Sequence, residues 1–270
     1  MTLRIVRRGI LYVLLSIAAF VSVFPFYWMI VGATNPSNLI VRGKADFGNN
    51  LIANAQAFFK LVNAAQIFWN SAQIAVAATV LTLAVSSIAG YGFEMFRSRI
   101  RDRVFAFLLL LLSIPFAALM VPLFSLMSRF HLVNTFAAVI LPTIASIFII
   151  FYFRQATKAF PSELRDAARV DGLKEWQIFL FIYVPVMRST YAAATIIVFM
   201  LNWNNYLWPL IVLQTTENKT VTLVVSALLS AYVPDYGATL FATVLATLPT
   251  LFVFFVLQRQ FVAGLTGGVK

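Results

Sequence analysis

Side chains able to do acid–base, nucleophilic or metal chemistry are few in this sequence, and their spacing does not assemble a reactive site. There is no cysteine, the single histidine, His131, stands near Arg129, and only nine acids are present. They offer no metal-ligand cluster, no paired-carboxylate motif and no nucleophile with a base at hand. A G-x-x-x-x-G-K-[ST] phosphate loop is also absent, so the chain cannot cradle ATP in that manner. No catalytic and no metal-ligating residue is therefore expected, and His131 is assigned no chemistry. Two clusters could instead bind or transmit: the segment Arg154–Pro185, and the amide and aromatic run Asn202-Trp203-Asn204-Asn205-Tyr206 with Trp208.

The first cluster reads as ordered helix. Pro161 suits a first helical position, Glu163 complements the positive end of the helix dipole, and Gly172 can take the left-handed conformation that ends a helix. The result is a helix near 161–172, about three turns long. Leu164, Ala167, Ala168 and Asp171 fall on one stripe, where small side chains let another surface approach the backbone. Standing alone, such a helix could equally be solvated or lie on a membrane. In the second cluster, Asn202, Asn204 and Asn205 lie roughly 21 to 26 Å along the helix axis from Arg188. Amides in lipid must be paired, so they either bond neighbouring helices or line a wet pathway. Trp203, Tyr206 and Trp208 could stack on a solute or form an interfacial belt.

The elements that carry these clusters are transmembrane. Of 270 residues, 61% are hydrophobic and 11% charged, with a mean hydropathy of +0.90, a surface that would aggregate in water. Six apolar stretches, near 9–32, 71–96, 104–127, 133–153, 189–212 and 238–258, reach the roughly 20 residues needed to cross a bilayer. Runs such as Val104 to Met127 do not alternate as a β-barrel strand would. The first stretch follows Arg4, Arg7 and Arg8 but exceeds the roughly 7–15 apolar residues of a cleaved signal, so it is expected to remain as a span. Pro115, Pro122 and Pro142 are expected to kink helices.

Charge then gives orientation. Fifteen of the 20 basic residues fall in the N-terminus, the 97–103 loop, the 154–188 segment and the C-terminus, which predicts that both termini are cytoplasmic. The net charge of +11 is thus distributed by membrane side, and no basic recognition helix or stacking module points to nucleic acid. The acids sit at the edges of the spans, whereas a secondary, ion-coupled carrier would normally bury some of them inside.

Asp166-Ala167-Ala168, three residues, Gly172, nine residues, Ile182, one residue, then Val184-Pro185 resembles the EAA signature of permease subunits in ABC-type, binding-protein-dependent importers. Asp166 and Val184 stand where the family commonly has Glu and Leu. Phe160-Pro-Ser-Glu-Leu164, the Asn202–Leu210 run and the terminal Gln258–Lys270 segment are similar to the carbohydrate-importer branch, MalG-like permeases. The resemblance covers roughly 70–270 and is weak over 33–70, and Arg97–Arg103 lacks the family's Pro-Gly turn.

It implies an all-α polytopic fold of six transmembrane helices with a cytoplasmic coupling helix, of the MetI/MalG-like type. The organisation would be an N-terminal part over 1–70, a permease core over 71–258 and a cytoplasmic tail over 259–270. Glu163, Asp166, Ala167, Ala168, Asp171 and Gly172 would be the contact with an ATPase, and Gly267, Gly268 and Lys270 a second one at the C-terminus. Asn202, Trp203, Asn204, Asn205 and Tyr206 would serve the pathway or helix packing. The implied partners are a second, MalF-like permease, an ATPase dimer that uses ATP and Mg, an extracytoplasmic solute-binding protein and the lipid of a bacterial inner membrane. No cofactor is expected on this chain. A sugar or oligosaccharide is the implied cargo, with glycerol-3-phosphate the alternative.

Overall fold

The computed structural model describes residues 2–266, with side chains over 7–261. Gly267, Gly268 and Lys270 lie outside the described residues. All regular structure among the described residues is helical. In chain order the helices are α1 (Thr2–Ala33), α2 (Ser37–Val41), α3 (Leu51–Leu61), α4 (Ala64–Met95), α5 (Arg99–Leu111), α6 (Phe116–Arg129), α7 (Phe136–Ile144) and α8 (Ile147–Thr157). There follow α9 (Ser162–Val170), α10 (Glu175–Ile178), a π-helical turn Phe179–Tyr183, α11 (Val184–Val186), α12 (Arg188–Trp203), α13 (Leu207–Val212), α14 (Val221–Leu229) and α15 (Tyr236–Thr266).

Five segments are long and apolar enough to cross a bilayer: Arg7–Ala33, Ala64–Met95, Phe136–Thr157, Arg188–Val212 and Tyr236–Phe261. The sixth, expected as one continuous span over 104–127, is a bent pair, α5 and α6, meeting at 101°. Pro115 explains the break. It has no N–H to continue the ladder, and its ring disfavours a helical conformation in Ile114 before it. Pro142 lies inside α7, which ends at Ile144, and Ser146 starts α8 by accepting the Ile149 amide. Pro122 sits within α6.

Two compact units form, neither continuous in sequence: residues up to 64 with 224–248, and residues 65–223 with 249 onward. In the first unit, α1 is exposed on all sides from Ile10 to Val23, as an apolar helix that spans a membrane can be. Residues 33–61 are tied by amides. Asn54 Nδ2 donates to the carbonyls of Ala33 and Asn35 at 2.8 and 3.0 Å, and Asn35 Nδ2 donates to Val31 and Asp46 carbonyls at 2.9 and 2.8 Å.

The second unit packs α4 against α8 and α12. Gly90 allows it, because a Cβ there would lie 2.6 Å from Phe153 Cβ and 2.8 Å from the Arg154 nitrogen. Ile149, Phe153, Ala194 and Val198 fill one core cluster, and Ile74, Met127, Val139, Trp208 and Val212 another. At one end of the unit, Asn134 holds the connection after α13, its Oδ1 accepting the amides of Gln214 and Thr215 at 3.0 and 3.1 Å. His131 belongs to the same bend and, like Asn134, has a positive φ.

Candidate functional site

The helix expected at 161–172 is α9, Ser162–Val170, with Pro161 preceding its first turn as N-cap. Gly172 has φ +82° and Leu173 N bonds back to the Ala168 carbonyl at 3.0 Å, a left-handed helix stop. The anticipated stripe is divided. Leu164, Ala167 and Asp171 are exposed, together with Glu163, Asp166 and Gly172, but Ala168 is only 3% exposed and packs inward. Val170, at 88% exposure, projects an apolar side chain into space, as Leu164 does to a lesser extent on the same helix.

What fixes α9 is a group of residues that the sequence did not single out. Arg165, half-way along the helix, is 9% exposed. It donates to Glu175 Oε2 at 3.2 and 3.3 Å and to the Met95 carbonyl at 3.2 Å, and its guanidinium lies 4.6 Å above the Phe96 ring. Arg169 Nε donates to Glu175 Oε1 at 2.7 Å, and Tyr91 donates to Oε2 at 3.4 Å. Burial pushes the Glu175 carboxyl up, but the hydrogen bonds and charges of Arg169 and Arg165 outweigh it and hold the group below the ordinary glutamate range. Glu175 thus joins α9 to the end of α4. Behind it, Tyr183 is fully buried in the π-helical turn, shares a 2.6 Å hydrogen bond with Thr157, and packs on Tyr91, Phe160 and Phe179. A second clamp lies alongside, where Arg154 reaches Glu94 at 3.4 Å and Asp102 at 2.6 Å over the ring of Phe105.

The second candidate site is a cavity of about 360 Å³ within the same unit. It forms where three spans break: Phe116 follows the α5–α6 bend, Pro142, Thr143 and Ser146 border the α7–α8 break, and Asn202, Asn205 and Trp208 flank the α12–α13 break. Thr82 of α4 completes the polar side, its hydroxyl donating to the Thr143 carbonyl at 3.1 Å. Irregular backbone at membrane depth is tolerated where it is covered by protein or lines a wet hollow. Among the lining residues there is no charged side chain. Trp208 donates its indole N–H to the Ala138 carbonyl at 2.8 Å, and Phe116 meets its ring edge-on at 6.0 Å.

Of the five residues expected at a pathway or a packing seam, Asn202 and Asn205 line this cavity. Asn202 also donates to Val198 of its own helix at 2.9 Å. Trp203 is 3% exposed and stacked on Phe199 at 5.7 Å, so it packs, while Asn204 and Tyr206 are exposed. Thr82, Phe116, Thr143 and Ser146 had no sequence signal tying them to the asparagines. The prolines at 115 and 142 marked the breaks without showing that they converge.

Residues 83–267 match the family described as binding-protein-dependent transport system inner membrane component. The chain is 65% identical over 259 residues to the lactose transport system permease protein LacG of Rhizobium radiobacter, covering 96% of this chain and 95% of that one. It is 38% identical to the arabinooligosaccharides transport system permease protein AraQ of Halalkalibacterium halodurans, covering 93% and 92%. It is 27% identical to the sn-glycerol-3-phosphate transport system permease protein UgpE of Pectobacterium atrosepticum, covering 98% and 99%. A bacterial ABC transporter chain involved in the import of the acidic polysaccharide alginate shares the fold, with a TM-score of 0.80 at 19% identity over 95% of this chain and 96% of that one.

Proposed function

We propose that this chain, which belongs to the binding-protein-dependent transport system inner membrane component family and is a permease subunit of an ATP-driven importer, carries a neutral sugar or small oligosaccharide across the membrane. The observation that carries the proposal is the 65% identity to a lactose permease along nearly the whole of both chains. The uncharged polar and aromatic lining of the cavity supports it: hydroxyls and amides suit a polyol, and no cation waits there for a phosphate. A glycerol-3-phosphate cargo is the second reading, favoured by the 27% identity to UgpE. Acids placed at the ends of spans argue against an ion-coupled carrier.

As a permease of this class the chain works with a binding protein and an ATPase. In our reading the full assembly adds a MalF-like second permease and two ATPase copies. ATP and Mg are bound and used there, and this chain holds no cofactor. Both termini face the cytoplasm, as the basic loops require. The exposed surface of Glu163, Asp166, Ala167, Asp171 and Gly172 seats against the ATPase, with Ala168 setting the helix on the chain's own core. The terminal Gly267, Gly268 and Lys270 make a second contact. A short helix braced by Arg165 and Glu175 moves as a body, so displacement by the closing ATPase reaches α4 and the spans packed on it. Asn202 and Asn205 line the path opened by that motion.

The test is purification of the assembly in mild detergent with its binding protein, followed by ATP hydrolysis with lactose or with glycerol-3-phosphate. Hydrolysis stimulated by lactose through the binding protein is expected. Stimulation by glycerol-3-phosphate alone would replace the cargo assignment, and a chain that purifies without an ATPase would remove the importer assembly itself.

A further inference from the structure

A second hollow, about 260 Å³, lies at the end of α4 that meets α5, and it is unlike the first. Ala89, Gly92, Phe93 and Phe96 form an apolar groove with Arg101 at its rim. Phe93 is the last apolar residue before Glu94, so the groove opens where the apolar span gives way to charge. The groove is open beside Gly92, where an added Cβ would meet nothing within 4 Å.

Arg101 is the charged residue of the groove, and the segment around it carries more positive charge than the fold uses. Arg97, Arg99, Arg101 and Arg103 are all exposed. Arg97 pairs with Glu94 at 2.6 Å, and Asp102, the acid among them, is engaged by Arg154 at 2.6 Å. Arg99 and Arg103 have no acidic partner among the described residues. Arg101 donates to the Phe96 carbonyl and lies 5.6 Å from the Phe96 ring, which points its guanidinium along the groove mouth and leaves further N–H donors free to face outward. A shallow apolar groove with an arginine at its polar end matches an amphiphile with a hydrocarbon tail and an anionic head.

We propose that this groove binds an anionic glycerophospholipid, one acyl chain lying against Ala89, Gly92, Phe93 and Phe96 and the phosphate resting on Arg101. The site is independent of the cargo and would stand if the sugar assignment failed. The lipid would tie the end of α4 to the first turn of α5, beside the clamp that Arg154 makes with Glu94 and Asp102.

Native mass spectrometry of the purified, delipidated assembly tests it, with phosphatidylglycerol and phosphatidylcholine of identical acyl chains as probes. The wild-type assembly is expected to retain phosphatidylglycerol in preference. Gly92→Leu, whose side chain enters open space and fills the groove, should lose the retained lipid while ATP hydrolysis persists. Arg101→Gln should weaken phosphatidylglycerol retention about fivefold and leave phosphatidylcholine unchanged. Glycerophosphoglycerol, which has the head without the tails, should not compete. Equal retention of the two lipids, undiminished retention by Gly92→Leu, or competition by the tailless head group would each overturn the proposal.

Discussion

Arg165 and Glu175 are ten positions apart, separated by the turn at Gly172, and neither periodicity nor a known spacing pairs them. Their meeting is a product of that turn, which folds α10 back on α9. Glu175→Gln keeps the size but removes the charge that both arginines address, so uptake should fall several-fold while the protein still inserts and hydrolyses ATP; parallel uptake and hydrolysis assays read this directly. Because its folded-state pKa is depressed, Glu175 stabilises the α9–α10 junction at neutral pH and above the ordinary glutamate range. That contribution is lost as pH falls through the lowered folded value. Hydrogen exchange over 162–178 should accelerate on acidification below the ordinary range in the wild type and much less in Glu175→Gln. At Gly172 an added Cβ would meet no atom of this chain within 4 Å, so within the chain the penalty for Gly172→Val is backbone strain, about 1–2 kcal/mol. Gly172→Asn, which tolerates a positive φ better, should retain more uptake than Gly172→Val when the two are compared at equal membrane abundance.

At the scale of elements, the spans were legible because twenty consecutive apolar residues have few other uses, and α9 was legible because proline and glycine bracket it. The sequence did not reveal that the span at 104–127 turns through 101°. Hydropathy is blind to direction, and Pro115 reads the same whether a helix kinks mildly or stops. The inward turn of Ala168 was hidden for a similar reason: two adjacent alanines sit about 100° apart on a helix, so one can bury while its neighbour faces out. The asparagines declared themselves only as polar residues in lipid, and whether they packed or lined a path depended on breaks in other helices. Since Asn205 borders the cavity, Asn205→Leu should lower uptake with little loss of protein in the membrane. Thr82→Val, which frees the Thr143 carbonyl at the α7–α8 break, should lower thermal stability in detergent by about 0.6 kcal/mol, the scale of a hydrogen bond between membrane helices.

Taken as a whole molecule, a chain without cysteine is open to mapping by single introduced thiols. The proposed orientation puts Arg99 on the cytoplasmic side and Lys219 across the membrane, so Arg99→Cys should resist a membrane-impermeant maleimide in intact spheroplasts and react after lysis, while Lys219→Cys should react in both. The reverse pattern would invert the orientation. The uncharged lining of the larger cavity also bears on the energetics of the cell that houses it. A bacterial membrane stores work as a voltage and a proton gradient, and a wet passage open at both ends would discharge them. With no charged side chain among its lining residues, this hollow has no like charge to repel hydronium or sodium. On the pathway proposed above, closure has to supply the barrier once the hollow is wet, so a variant that jams the transporter half-open should depolarise its host even when no cargo is present.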